Sequence, residues 1–119
     1  MATVNKVHVR DIHIHQGATR QWTYKLKDNN DLAKNLSGYT IEMDIKKSAS
    51  GEVILALDSD GGGIVLTGSD GQMDFTITAA QTAAFDFVEG VYDVKLTSGA
   101  GTVVYIIRGK IIVTRRVTV

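Results

Sequence analysis

The chain has 119 residues, the length of one domain, and its 44% hydrophobic and 22% charged content is ordinary for a globular protein. Lys and Arg together number 13, as do Asp and Glu, so no net charge draws the protein to nucleic acid or to an anionic membrane. The lack of cysteine excludes a disulfide framework, and no run is apolar enough for a signal peptide or a membrane-spanning helix. We expect one domain over residues 1–119 that folds in a reducing cytosol.

The first predicted strand, in residues 5–15, contains a change of parity. Val7 and Val9 share one parity, whereas Ile12 and Ile14 share the other. A bulge between the two pairs would let both face the core. The sequence therefore predicts a bent strand at the start of the chain.

A strand with the single tryptophan and a long hairpin come next. Alternation over residues 20–27 predicts that Trp22 is a central core residue. Residues 36–57 predict two strands joined by the small residues 48–51. The inner face of the first of these strands is expected to hold Tyr39, Ile41, Met43 and Ile45.

The second half of the chain predicts further strands and one helix. Thr78 as N-cap, with Gln81 at the capping-box position, predicts a short helix near residues 79–84. In the last strand a bulge is expected at Gly109. The inner face of that strand is expected to hold Val103, Tyr105 and Ile107.

Seven to nine short strands, with turn signals roughly every ten residues, are typical of an all-β fold. One short helix interrupts the series, and no internal repeat or linker divides it. The pattern predicts an antiparallel β-sandwich.

Three histidines are the first candidates for chemistry. His8, His13 and His15 take the solvent parity of the first strand, and the last two project from one side, as metal ligands could. A structural zinc site needs a third and a fourth ligand, which the neighbouring sequence does not offer. We interpret the three as exposed strand residues, with the alternative that symmetric copies complete a metal site in an oligomer.

Other candidate sites lack the patterns that their chemistry requires. The acidic loops at residues 28–31 and 58–61 lack the EF-hand spacing and are interpreted as turns. Glu42 and Asp44 alternate with Thr40 and Lys46 on a face expected to be solvated, and nothing marks an activated nucleophile. We expect no enzymatic activity, no catalytic residue, no cofactor and no nucleic-acid partner.

Three segments resemble small virion proteins of tailed bacteriophages. They are residues 36–40 (Leu-Ser-Gly-Tyr-Thr), 77–82 (Ile-Thr-Ala-Ala-Gln-Thr) and 90–94 (Gly-Val-Tyr-Asp-Val). The similar domain is the immunoglobulin-like one at the N-terminus of phage baseplate upper proteins. The resemblance extends over nearly the whole chain and implies an immunoglobulin-like sandwich of 7–9 strands.

The function that this resemblance implies is structural. The chain would be a virion component, made in the bacterial host cytoplasm, at the tail or baseplate or as a fibre adaptor. It would act as a homo-oligomer that docks to tail, baseplate, fibre or capsid proteins through the two ends of the chain. A capsid head decoration protein is one alternative. A carbohydrate-binding sandwich is another, disfavoured because such sites need exposed aromatic side chains.

Overall fold

A computed structural model of the chain describes residues 7–27 and 32–117. In this part of the chain nine strands form two sheets, and the chain also has a short helix and a 3₁₀ turn. The strands are β1 (His8–Val9), β2 (Ile12–His15), β3 (Arg20–Lys25), β4 (Thr40–Lys46), β5 (Val53–Asp58), β6 (Ile64–Thr67), β7 (Gln72–Ile77), β8 (Glu89–Thr97) and β9 (Val103–Thr114). The helix α1 is Ala79–Ala83, and the 3₁₀ turn is Gly68–Asp70.

The two sheets have the strand order of an immunoglobulin-like sandwich. The large sheet runs β1 and β2, then β9, β8, β4 and β5, and the small sheet runs β3, β7 and β6. The prediction of an all-β sandwich with one short helix is confirmed. β1 and β2 pair in parallel with β9, unlike the antiparallel pairs elsewhere in the described sheets. Parallel pairing needs a long connection, and these first and last strands lie almost a whole chain apart.

Alternating apolar residues on the inner faces of both sheets form the core. The predicted inner face of β4 is confirmed for Ile41, Met43 and Ile45, which are fully buried. On the facing sheet, β7 buries Met73, Phe75 and Ile77 in the same alternation. Burying each such side chain stabilises the fold by roughly 1.5–3 kcal/mol. No described helix has the length and apolar character that crossing a bilayer requires.

Trp22 lies at the border of the core, so the prediction of a central position is wrong. Its strand β3 is an edge strand of the small sheet, and the indole ring is only partly buried. The ring stacks on Phe75 with centroids 5.0 Å apart, and the Arg20 guanidinium lies 5.4 Å from its centroid. The pattern of alternation identified the face of the strand but not its place in the sheet.

A register shift in β9 reverses part of the predicted face of that strand. Val94 is opposite Ile107 and Lys95 is opposite Tyr105, which leaves Ile106 as an extra residue. Ile106 and Ile107 are therefore both buried, whereas Val103 and Tyr105 are exposed. The bulge lies at Ile106 rather than at Gly109, and the inner face predicted for Val103 and Tyr105 is wrong.

The bend in the first strand lies where the change of parity predicts it. Residues 10 and 11 separate β1 from β2, and Ile12 and Ile14 are buried as expected. Val7 and Val9 are exposed, so the prediction that they face the core is wrong. Val9 is in register with the exposed Arg108 of β9, and neighbours in register share a face of the sheet.

The predicted capping box of α1 is confirmed. The Thr78 hydroxyl accepts the N–H of Gln81 at 3.2 Å, and the Gln81 side chain accepts the N–H of Thr78 at 2.8 Å. Thr82, one turn further, is fully buried. Its hydroxyl accepts the N–H of Gly17 at 2.9 Å and lies 2.9 Å from the carbonyl oxygen of Ala18. The helix thus fixes the turn between β2 and β3.

We expect Thr82→Val to lower the free energy of unfolding by about 1–3 kcal/mol, because the N–H of Gly17 loses its acceptor. Urea denaturation of both proteins measures the difference. Thr82→Ser is the matched control, since it keeps the hydroxyl and removes a methyl group. A Thr82→Val protein as stable as the wild type would show that this hydrogen bond contributes nothing.

Candidate functional site

The three histidines are not gathered into a site. His13 and His15 are exposed on β2, and the His8 ring lies edge-on to Tyr24 with centroids 6.0 Å apart. Within residues 7–27 and 32–117, no group of three or more His, Cys, Asp or Glu side chains could hold a metal ion. A metal site completed by symmetric copies stays a prediction.

The structure describes one of the two acidic loops, at residues 58–61. Residues 28–31 lie outside the described residues. In the other loop, the Asp58 carboxylate accepts the N–H of Asp60 at 2.9 Å and also the N–H of Gly61. The loop is therefore a turn closed by its own side chain, as the sequence predicts.

A groove on the outer face of the large sheet is the strongest candidate site. Its volume is about 650 Å³. A neighbouring pocket of about 300 Å³ shares Asp93, Tyr105 and Arg108 with it, so the depression continues along β9. The groove is lined by Val9, Asp11, Asp44, Lys46, Ala49, Val91, Tyr92, Asp93, Tyr105, Arg108, Gly109 and Lys110.

The apolar part of the groove comes from the two irregularities of the sheet. Val9 is 64% exposed because its register with β9 places it on the outer face of the sheet. Tyr105 is 49% exposed because the extra residue at Ile106 turns it to the same face. Val91 on β8 lies in the groove as well. Aliphatic and aromatic side chains therefore line a face that would otherwise be polar.

Charged residues form a row across the groove. Asp44, Asp93 and Arg108 are in register on β4, β8 and β9. Like charges that face each other across a strand pair destabilise it. Burial raises the pKa of Asp93, Asp44 raises it further, and Lys46 and Lys95 act in the opposite direction. The carboxyl group of Asp93 thus holds its proton to a higher pH than an ordinary aspartate.

The raised pKa of Asp93 gives the sign of a pH effect. The folded state binds the proton more tightly than the unfolded state, so the stability from this group is complete below the ordinary pKa of Asp and is lost as the pH rises through the raised value. We expect Asp93→Asn to stabilise the protein at neutral pH by up to about 1 kcal/mol, a gain that solvent screening keeps small and that vanishes near about pH 3. Thermal unfolding as a function of pH measures it.

Asp44→Asn is the companion variant, since it removes the same repulsion from the other strand. The gain in stability of the double variant should be smaller than the sum of the two single gains, because either change alone removes the repulsion between the two carboxylates. An Asp93→Asn protein that is less stable than the wild type at neutral pH would contradict this interpretation.

Tyr92 lies beneath the groove, because its side chain has the inner parity of β8 and belongs to the core. Its hydroxyl donates to the carbonyl oxygen of Arg10 at 2.6 Å. Burial raises the pKa of Tyr92 to about 12, although the nearby Arg10 opposes the shift. The phenol therefore stays a hydrogen-bond donor at physiological pH and holds the bend of the first strand in place.

Sequence reasoning assigned no binding role to this face: the side contributed by β4 was expected to be solvated, and Tyr105 was expected on the inner face. The missed residues are Val9, Val91 and Tyr105. A signal was present, because residues 103–107 (Val-Val-Tyr-Ile-Ile) are five consecutive apolar residues in a strand. Such a run predicts either a strand covered on both faces or a bulge that leaves one apolar side chain exposed.

Comparison with known proteins gives one finding. The model of the SCP-2 sterol transfer family matches residues 20–95, from the start of β3 into β8. The search of curated proteins gives no match. The family match overturns the resemblance to phage virion proteins, and the structural virion role, the head-decoration and carbohydrate-binding alternatives and the virion localisation are therefore wrong. The chain belongs to the SCP-2 sterol transfer family.

Proposed function

We propose that the chain binds a sterol, or a lipid of similar size, in the groove on the outer face of the large sheet. The observation that carries this proposal is a groove of about 650 Å³ with exposed apolar side chains in it. Sites for small molecules commonly have volumes of roughly 300–1,000 Å³ and combine an apolar lining with a few polar groups. The family supports the class of ligand, since its description is sterol transfer.

The lining suggests how such a ligand would lie. A flat apolar body would cover the Tyr105 ring and the aliphatic side chains of Val9 and Val91, which are otherwise in contact with water. Each Å² of apolar surface removed from water contributes about 25 cal/mol. A hydroxyl at one end could donate to Asp93 or accept from Arg108, which lie side by side in the groove. The role is binding, without a chemical step.

The interior of the sandwich is the less suitable place for the ligand. Fully buried Met43, Met73 and Phe75 fill the space between the sheets, and a lipid would have to displace such side chains. The outer groove needs no such rearrangement. Asp44, Val91 and Asp93 of the groove lie inside the matched residues 20–95, whereas the side contributed by β1 and β9 lies outside them.

Titration of the full chain with a fluorescent sterol tests the proposal. We expect saturable binding at one sterol per chain, and a competing non-fluorescent sterol should displace the probe. Val65→Ala, at a residue that is 65% exposed on the small sheet, is the control and should bind equally well. Signal that rises without saturation, or that a competitor does not displace, would contradict a specific site.

A further inference from the structure

Charge is segregated along a chain whose net charge is zero. Residues 7–27 contain four Lys or Arg and three His, but a single acid, Asp11. Residues 48–71 contain four acids and no Lys, Arg or His. The four acids are Glu52, Asp58, Asp60 and Asp70.

The fold places these two segments at opposite edges of the sandwich. β1 and β2 end the large sheet on one side and β5 ends it on the other, while β3 and β6 end the small sheet. Side-chain contacts join the β3 edge of the small sheet to the β1 and β2 edge of the large sheet. Arg20 Nε donates to the His13 carbonyl at 3.0 Å, and the Arg10 guanidinium lies 5.7 Å from the Tyr24 centroid. On the far side, Asp58 at the end of β5 forms a bridge with Gly63 before β6.

We name these two surfaces the basic edge (β1, β2 and β3) and the acidic edge (β5 and β6 with their turns). The one acid of the basic edge, Asp11, accepts the backbone N–H of Lys110 at 3.1 Å and so faces β9. Lys47, in the turn before β5, is 3.2 Å from Asp86. The charged side chains of the two edge segments are therefore mostly of one sign on each edge, and the two signs are opposite. Asp74 of β7 lies next to Thr23 of the basic edge, and Lys34 lies next to the turn at Gly71 of the acidic edge.

We propose that the protein self-associates head to tail, with the basic edge of one copy against the acidic edge of the next. The occupant of each edge is a second copy of this chain, because the two edges are complementary in charge on one molecule. Apolar contacts would add to the charges: Val53 is 47% exposed on β5, and the basic edge offers the half-buried rings of Trp22 and Tyr24.

The strand directions fit this arrangement. β2 is parallel to β9, β9 is antiparallel to β8, β8 to β4, and β4 to β5. β5 is therefore antiparallel to β2, and a copy translated along the sheet meets its neighbour with antiparallel edges. In a contact between two different surfaces of the same chain, a dimer still has one free surface at each end. Further copies can therefore add, and rings or open rows result.

Sedimentation velocity of the full chain at two ionic strengths tests the proposal. We expect association at about 0.01 M salt and its loss at about 1 M, because the screening length falls from roughly 30 Å to 3 Å. Lys25→Glu on the basic edge and Glu52→Lys on the acidic edge should each weaken association about tenfold. Both side chains are exposed, so neither change disturbs the core.

Mixing the two variants distinguishes head-to-tail contact from any symmetric one. The Lys25→Glu protein keeps its acidic edge and the Glu52→Lys protein keeps its basic edge, so the mixture should associate more strongly than either variant alone. Ala100→Lys combined with Thr102→Lys, in the turn before β9, matches the charge change of Glu52→Lys and should associate like the wild type. A monomeric wild type at low salt, or a mixture no larger than its components, overturns the proposal.

Discussion

Replacing Gly109 with alanine is expected to lower the free energy of unfolding by about 3 kcal/mol. A Cβ at this position would overlap the carbonyl oxygen of Arg10 and lie 2.6 Å from its carbonyl carbon. Both are backbone atoms, so the strands have to separate. Two hydrogen bonds depend on this contact: the Arg10 N–H donates to Arg108 at 2.9 Å, and the Tyr92 hydroxyl donates to Arg10 at 2.6 Å.

Gly99→Ala is the matched control for the effect of the methyl group itself. A Cβ at Gly99 meets one atom, the carbonyl oxygen of Gly38, at an ordinary distance of 3.7 Å. We expect its stability to stay within about 0.5 kcal/mol of the wild type. Urea denaturation compares the three proteins, and equal stability of the two alanine variants would show that β1 and β2 do not need this close approach.

Replacing Tyr105 with alanine is expected to weaken sterol binding about tenfold, or ~1.4 kcal/mol. The ring is about half exposed in the groove, and a bound sterol would cover it. Tyr105→Phe should bind nearly as the wild type does if the ring face supplies the contact. Because the side chain is outside the core, the melting temperature should change little in either variant.

Val103→Ala is the control for Tyr105, since Val103 is 48% exposed on the same strand and does not line the groove. Its binding should equal that of the wild type. The affinities are measured with the same fluorescent sterol. Equal affinity of the Tyr105→Ala and Val103→Ala proteins would show that the Tyr105 ring does not contact the sterol and would contradict an apolar site built around it.

Sequence periodicity was enough to predict the architecture, because alternation over six or seven residues leaves one assignment of faces. The inner faces of β4 and β7 and the capping box at Thr78 follow from such local rules. The position of a strand within its sheet does not follow, since it depends on long-range pairing. Trp22 shows this: its parity was right, but its strand is an edge strand.

The groove was missed for a related reason. A single extra residue at Ile106 moves Tyr105 from the inner face to the outer one, and alternation alone cannot locate a bulge within five consecutive apolar residues. The register of β1 with β9, which exposes Val9, links residues about a hundred positions apart. Both irregularities build the candidate site, and neither has a local signature that fixes it.

The proposed sterol site and the proposed head-to-tail contact share only β1 and the bend after it, where Val9 and Asp11 line the groove. The groove lies on the outer face of the large sheet, around β8 and β9 in its middle, whereas the contact uses the two edges. Variants of Tyr105 should therefore leave association unchanged, and variants of Lys25 and Glu52 should leave sterol affinity unchanged. The two proposals can fail independently.

Cross-linking with a photoreactive sterol, followed by peptide mapping, tests the central claim most directly. We expect the label on β8 and β9 at or next to Val91 and Tyr105, and we expect excess unlabelled sterol to abolish it. Label confined to the small sheet or to the inner faces of the sandwich, or label that excess sterol does not reduce, would contradict binding in the groove.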